Sequence, residues 1–323
     1  GAAWKIERNP KAMIHGVINI YKEKGFTSHD VVAKLRGILK QKKIGHTGTL
    51  DPDAEGVLPV CLGKATKLCD MLTDKNKTYE TILLLGKTTD TQDISGEVLK
   101  TGDTAALTEE QVKNCICGYI GEYDQLPPMY SALKVNGKKL YELAREGKEV
   151  ERKTRKVQIL DIQIKEVKLP RVRMEVSCSK GTYIRTLCHD IGKELGCGGC
   201  MEQLLRTRVS CFNLKDSLKL DEVRAYREQE KLAEILIPID EMFSDKKAAI
   251  VMKKFEALAY NGNELKMSMI KLKEEPKATE FVEGEQIRLY DQAQHFIGIF
   301  VYHENERKFV VEKMFLDQEE LKK

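Results

Sequence analysis

Seven residues set the tightest limit on the fold. In VRMEVSC, 172–178, Val172, Met174, Val176 and Cys178 face one way and Arg173, Glu175 and Ser177 the other. Side chains alternate sides along a strand, so this is a strand with one buried face. Gly181 and Thr182 then open a helix whose inner face is Ile184, Leu187, Cys188, Ile191 and Leu195, ended by Gly196. The rest of the chain repeats this mixture. Strands are predicted at VINIY (17–21), TYETILLL (78–85) and 157–167, and an apolar stretch from Val57 to Leu62 is closed by Gly63. Thr27 or Ser28 caps a helix with apolar positions Val31, Val32, Leu35, Ile38 and Leu39. Thr108 and Gln111 form a capping-box pattern for a helix reaching about Cys117, and 138–146 carries Leu140, Leu143 and Ala144 on one side. Hairpin-like strands and helices without repeating βαβ units predict an α+β domain rather than a doubly wound sheet.

A chain of 323 residues predicts one large domain and a smaller one. The character changes after about residue 245. Short strand candidates at 264–270, 286–290, 297–302 and 308–313 follow, separated by Gly262, Gly284 and Asn305. The expected division is therefore 13–245 and a β-rich module, 246–323, just large enough for its own core. The first dozen residues, GAAWKIERNPKA, are polar and unpatterned and receive no function. Nine cysteines, scattered and odd in number, accompany no secretory leader and no apolar run of about 18 residues. The expectation is a cytoplasmic chain with free thiols and no membrane partner. A net charge of +4 decides nothing, but its distribution is uneven. Nine Lys or Arg stand against four Glu from Lys134 to Lys156. Charge alone leaves a solvated face and a phosphate-contacting arm equally placed.

The richest loop is GHTGTLDPDAEG, 45–56, where Asp51 and Asp53 bracket Pro52 beside His46, Thr47 and Thr49. An isolated DPD is usually a turn stabilised by its own side chains. Here proline and glycine fix the backbone, ordered apolar elements flank it, and a helix with Lys34, Arg36, Lys40, Lys42 and Lys43 at its flank and exit leads in. A carboxylate beside phosphate-binding groups repels phosphate. It reads instead as a nucleophile or base, or as an acceptor for a nucleobase or metal, and the residues alone go no further.

GHTGTLDPDAEGVLPVCLGKATK, 45–67, resembles the signature motif of the TruB family of pseudouridine synthases, which modify the T-arm uridine of transfer RNA. Matching segments are GVINIYKEKGFTSHDVV (16–32), KTYE (77–80), TTDTQD (88–93), QLPPMYSALKVNGKKLYELAREG (125–147), SKGTYIRTLCHDIGKELG (179–196) and LLRTR (204–208). The resemblance implies a pseudouridine synthase fold, with a mixed, mainly antiparallel central sheet and flanking helices. Its C-terminal module would be a small β-barrel of the PUA type, carrying GNEL (262–265) and FVEGEQIRLYD (281–291).

The implied reaction is a cofactor-free isomerisation of uridine 55. The N1–C1′ bond breaks, the held base turns, and a C5–C1′ bond forms. Asp51 matches the catalytic aspartate, acting either by addition to C6 or at the ribose through a glycal; both routes need an ionised carboxylate. Arg185 matches the arginine that pairs with and orients it. Tyr79 matches the tyrosine that stacks on the base and helps move the C5 proton. His46 matches the histidine beside the flipped nucleotide, since a uridine inside a folded loop must be extruded. Asp93, not securely separated from Asp90, matches the secondary acid. Leu204 or Leu205 would line the uracil pocket, and Lys22 and Lys64 would reach phosphate. Lys134 and Lys138 lie in the thumb-like insertion, about 127–156, expected to clamp the T-arm. The implied partner is transfer RNA, bound by a monomer with no obligate protein partner.

Cys197-Gly-Gly-Cys200, with Cys188 and His189 near, has metal-like spacing but follows a helix end rather than a redox turn, so no metal is assigned. GKTTD at 86–90 lacks the glycine-rich run of a phosphate loop. Three alternatives compete: a relative acting on other RNA, an RNA-folding chaperone on the same scaffold, and a carboxylate glycosidase. The last wants two opposed carboxylates, which one intervening proline does not supply.

Overall fold

The structure, a computed structural model, describes residues 12–131, 133–274, 280–317 and 321. All but the last residue of the polar N-terminal dozen lie outside the described residues. Two compact units divide the chain. The first takes 18–235 and the segment up to Ile14; the second takes 236–323 with 15–17.

The first unit is built on a nine-stranded, mixed and mainly antiparallel sheet. Its principal strands are β1 (Gly16–Lys22), β2 (Ile44–His46), β3 (Glu55–Leu62), β4 (Lys77–Leu85), β5 (Gly121–Gln125), β6 (Arg155–Lys168), β7 (Arg171–Cys178) and β8 (Gly199–Val209). Their order is β1-β3-β8-β4-β7-β6-β5, with β2 on β3 and Phe212–Asn213 on β8. The β3–β8 pair is parallel, while β4, β5, β6, β7 and β8 join antiparallel. The alternation in 172–178 appears as expected: Val172, Met174, Val176 and Cys178 are fully buried and the residues between them are half-exposed.

Helices cover the buried face. α1 (Ser28–Leu39) is capped by Thr27, not Ser28. Thr27 accepts from the Asp30 amide and Asp30 returns the bond to the Thr27 amide, which satisfies two donors that a helix start otherwise leaves open. The Thr108–Gln111 box likewise starts α2 (Glu109–Cys117). α3 (Ile184–Glu194) turns Ile184, Leu187, Cys188 and Ile191 onto the sheet, where they meet Leu83, Met174 and Val176, with Val112 and Ile116 of α2. Each large apolar side chain so buried stabilises by about 2 kcal/mol.

The second unit is a six-stranded, nearly closed sheet of PUA-like form. Its order is Leu265–Lys266, Lys308–Met314, Phe296–His303, Gln286–Tyr290, Lys247–Val251, Ile270–Leu272. Ala249, Leu289, Ile297, Phe300 and Phe309 fill its core. Two expectations change. The strand predicted at 264–270 is broken by a 3-10 turn, Met267–Met269, and its halves join opposite edges of the sheet. Lys247–Val251 is a strand the sequence reading did not contain; its parallel pairing with Gln286–Tyr290 gives it no hairpin signal.

Candidate active site

The loop between β2 and β3 is held on both sides of Asp51. Before it, the Leu50 amide donates to Ser28 Oγ at 2.9 Å, tying the loop to the start of α1. Thr47 bonds the Pro59 carbonyl through both its amide and its hydroxyl. After Asp51, the Pro52 carbonyl accepts from the Gly25 amide at 2.8 Å and from Lys22 Nζ at 3.3 Å. The Ala54 amide closes the turn on the Asp51 carbonyl at 3.0 Å. The backbone is thus fixed while the Asp51 side chain stays 55% exposed. This is what a reactive group on a rigid scaffold requires.

Arg185 comes from the first turn of α3, 8% exposed, and its Nη2 lies 3.5 Å from Asp51 Oδ2. Two carbonyls hold the guanidinium: Nη2 donates to Tyr130 at 2.8 Å and Nη1 to Thr91 at 3.3 Å. Thr186, next on α3, donates to Gln92 Oε1 at 2.7 Å, so the turn carrying Thr91 is pinned to the helix twice. Asp93 shapes that same turn. Its carboxylate accepts from the Thr91 hydroxyl at 2.8 Å and the Ser95 amide at 3.0 Å. Asp93 is thereby linked to Arg185 through Thr91, whose carbonyl accepts from the guanidinium. Asp90 accepts instead from the Glu97 amide at 2.8 Å.

Tyr79 lies on β4, almost fully buried, in one apolar cluster with Leu50 and Ala54 of the loop and with Leu204. Between the two leucine candidates it is Leu204 that packs here. Burial pushes the Tyr79 phenol up, against the nearby Arg206 guanidinium, so it is neutral at pH 7. His46 ends β2 opposite Val60; burial lowers its pKa, and His29 and Arg206 add repulsion. Its Nδ1 is buried without a hydrogen-bond partner among the described residues. A neutral, partly unsatisfied ring at the loop entrance suits a wedge or stacking surface better than an acid.

Lys22 does not fit its expected role. It is fully buried, and its ammonium donates to Phe26 at 2.6 Å, Glu23 at 3.1 Å and the Pro52 carbonyl. All three donors are spent on backbone, so none is left for a phosphate. Lys64 is half-buried at the start of the 3-10 turn Gly63–Leu68. Lys134 and Lys138 are exposed on a two-residue hairpin, Lys134–Val135 with Lys138–Lys139, which precedes the short helix Leu140–Arg145.

Two residues were missed. Arg206, on β8, is 1% exposed and donates to Val57 at 2.8 Å and Gly48 at 3.2 Å. It stands in the quoted LLRTR, but a charged residue in an alternating strand reads as solvent-facing. Tyr183, two residues before Arg185, is half-buried with its phenol near Ser131, Arg185 and Asp51. The signal was its place in GTYIR. Cys197 and Cys200 are both buried, and no cluster of three His, Cys, Asp or Glu suited to a metal occurs among the described residues.

Comparison with known proteins places the chain in a family. The family described as TruB family pseudouridylate synthase (N terminal domain) matches residues 36–184, and the tRNA pseudouridylate synthase B C-terminal domain matches 185–244. The tRNA pseudouridine synthase B of Lachnoclostridium phytofermentans is 52% identical over 311 residues, covering 94% of this chain and all of that protein. That of Clostridium perfringens strain 13 is 42% identical over 307 residues, with coverage of 94% and 100%. Among solved structures, a chain of a Cbf5-Nop10-Gar1 complex has a TM-score of 0.70 at 26% identity, covering 97% of this chain and 88% of that one. A chain of an H/ACA RNP bound to a substrate RNA containing 2′-deoxyuridine also has a TM-score of 0.70, at 24% identity, with coverage of 94% and 86%.

Proposed function

The chain belongs to the TruB family of pseudouridylate synthases, and from that premise we propose that Asp51 is the catalytic carboxylate for isomerising uridine 55 in the T-loop of transfer RNA. The enzyme is a tRNA pseudouridine synthase, related at up to 52% identity to the bacterial enzymes above. The observation that carries the assignment of Asp51 is its pairing with Arg185. An exposed carboxylate on a fixed loop is aimed by a buried guanidinium 3.5 Å away. Exposure lets a ribose or base reach the carboxylate, and the guanidinium restricts its rotation.

In this reading the flipped uracil lies on the Tyr79 ring with Leu204 beside it, while His46 occupies the space the base has left. Asp51 attacks C6 or acts at the ribose, N1–C1′ breaks, the base turns within the pocket, and C5–C1′ forms. Lys134 and Lys138 contact T-arm phosphates, and Lys64 lies on the same basic approach. The protein acts as a cytoplasmic monomer. Support for the compartment comes from its nine cysteines, all of them free. No helix among the described residues is long and apolar enough to cross a membrane.

The test is pseudouridine mapping on unmodified transfer RNA with wild type and Asp51→Asn. The expected result is product at the T-loop uridine, a rate loss of at least about 10⁴-fold in the variant, and tRNA affinity within about twofold. Full turnover by Asp51→Asn refutes the catalytic assignment; product at another uridine refutes the substrate.

A further inference from the structure

Arg206 occupies the one strand that touches both halves of the site. β8 lies between β3 and β4: Arg206 stands opposite Gly56 across the parallel join and opposite Tyr79 across the antiparallel one. Its side chain is among the largest that are fully buried. Nε donates to Val57 O and Nη2 to Gly48 O, so one guanidinium grips the backbone on either side of Asp51. Gly48 has φ +65°, a left-handed conformation that favours glycine, and the carbonyl it presents is the one that Nη2 reaches. As its cross-strand partner on β4, Tyr79 is near enough that the guanidinium opposes the upward shift burial gives the phenol.

No carboxylate forms an ion pair with Arg206 among the described residues. A buried cation without one costs several kcal/mol, and a neutral donor would serve two carbonyls as well. The charge is useful only where negative charge develops; of the two ionisable neighbours, the Cys178 thiol is held neutral by burial, and the Tyr79 phenol is the one on the uracil side of the site.

We propose that Arg206 is a positioning residue that fixes the Tyr79 phenolic oxygen relative to the Asp51 loop and stabilises it as a transient phenolate. This rests on the role given to Tyr79 above. Once C5–C1′ has formed, the base must lose a proton at C5 and gain one at N1. Tyr79 O–H gives its proton to N1, Arg206 holds the phenolate, and the phenolate takes the proton from C5. The phenol is restored and the base leaves neutral.

The experiment is single-turnover kinetics against pH on unmodified transfer RNA for Arg206→Gln, Arg206→Lys, Tyr79→Phe and the double variants. Arg206→Gln is expected to lose about 100-fold in rate with tRNA affinity within about twofold, and to speed up with pH between about 7 and 9 where wild type is flat. Arg206→Lys, which keeps the charge, should recover about tenfold. In the Tyr79→Phe background, Arg206→Gln should cost less than about twofold more. Equal losses with and without the phenol, or a rate loss with an unchanged pH profile, overturn the proposal. Should Arg206→Gln fail to fold, Arg206→Lys carries the same double-variant comparison. Wild-type turnover by Tyr79→Phe is a different result: it removes the role of Tyr79 itself.

Discussion

Lys22 and Lys77 are both buried at the base of the Asp51 loop and both spend ammonium donors on backbone carbonyls. Lys77 donates to Thr73 at 2.7 Å and Lys75 at 2.9 Å. Burial lowers each from 10.5 to about 8, with Asp51 partly opposing the shift at Lys22 and Arg206 adding to it at Lys77. Below about pH 8 folded and unfolded chains are both protonated, and the native state bears the full cost of two buried charges. Between about 8 and 10.5 the unfolded chain holds more protons, so stability rises with pH; above that range the gain is complete. Denaturant unfolding at pH 7.5 and 9.5 should therefore show a smaller rise for Lys22→Met than for wild type. An equal rise in the two proteins would mean that Lys22 does not titrate in this window. Lys22→Met also removes a donor from the Pro52 carbonyl, so the loop it braces should lose order.

At the scale of elements, the join between β3 and β8 is what brings the loop to Tyr79, and Gly56 makes it. Its φ is +117°, a region closed to side chains, and a Cβ there would lie 2.1 Å from the Arg206 carbonyl oxygen. Neither backbone can move without breaking the sheet. Gly56→Ala should destabilise by about 3 kcal/mol or more and lower the thermal midpoint measurably; an unchanged melt would contradict the packing described. The same join marks where sequence reading ended. Local signals were legible: the alternation of β7, the capping boxes of α1 and α2, and the glycine and proline of the Asp51 loop each act within a few residues. The motif resemblance singles out Asp51, Arg185 and Tyr79, and the structure puts Arg185 beside Asp51 and packs Tyr79 against the loop. Arg206 was not singled out, because its burial arises from strands far apart in sequence lying side by side. Lys22 was misplaced for the same reason: a charge is visible in a sequence, but the carbonyls that surround it are not. The link from Asp93 through Thr91 to Arg185 is likewise a matter of turn geometry, invisible in the sequence.

For the whole molecule, the question is how a chain of net charge +4 holds a polyanion. Uniformly spread, so small an excess would attract RNA weakly at physiological salt, where fields fade within about 8 Å. The charge is concentrated instead, with nine basic residues against four acidic ones between Lys134 and Lys156. Lys134 and Lys138 stand exposed on the hairpin within that segment. The ion pair of Lys138 with Glu146, 3.6 Å long and open to solvent, contributes little to the fold. Removing these charges should therefore change binding without changing structure. For every phosphate that a lysine no longer neutralises, the slope of log affinity against log salt should fall by about 0.7 to 0.9. A Lys134→Gln, Lys138→Gln double variant should thus flatten that slope by about 1.5 between about 50 and 200 mM salt while keeping the single-turnover rate at saturation. Asp51→Asn should do the reverse, abolishing chemistry and keeping the wild-type slope. Fluorescence anisotropy with labelled transfer RNA reads both slopes, and an unaltered slope in the lysine variant would place the phosphate-binding groups on another part of the surface.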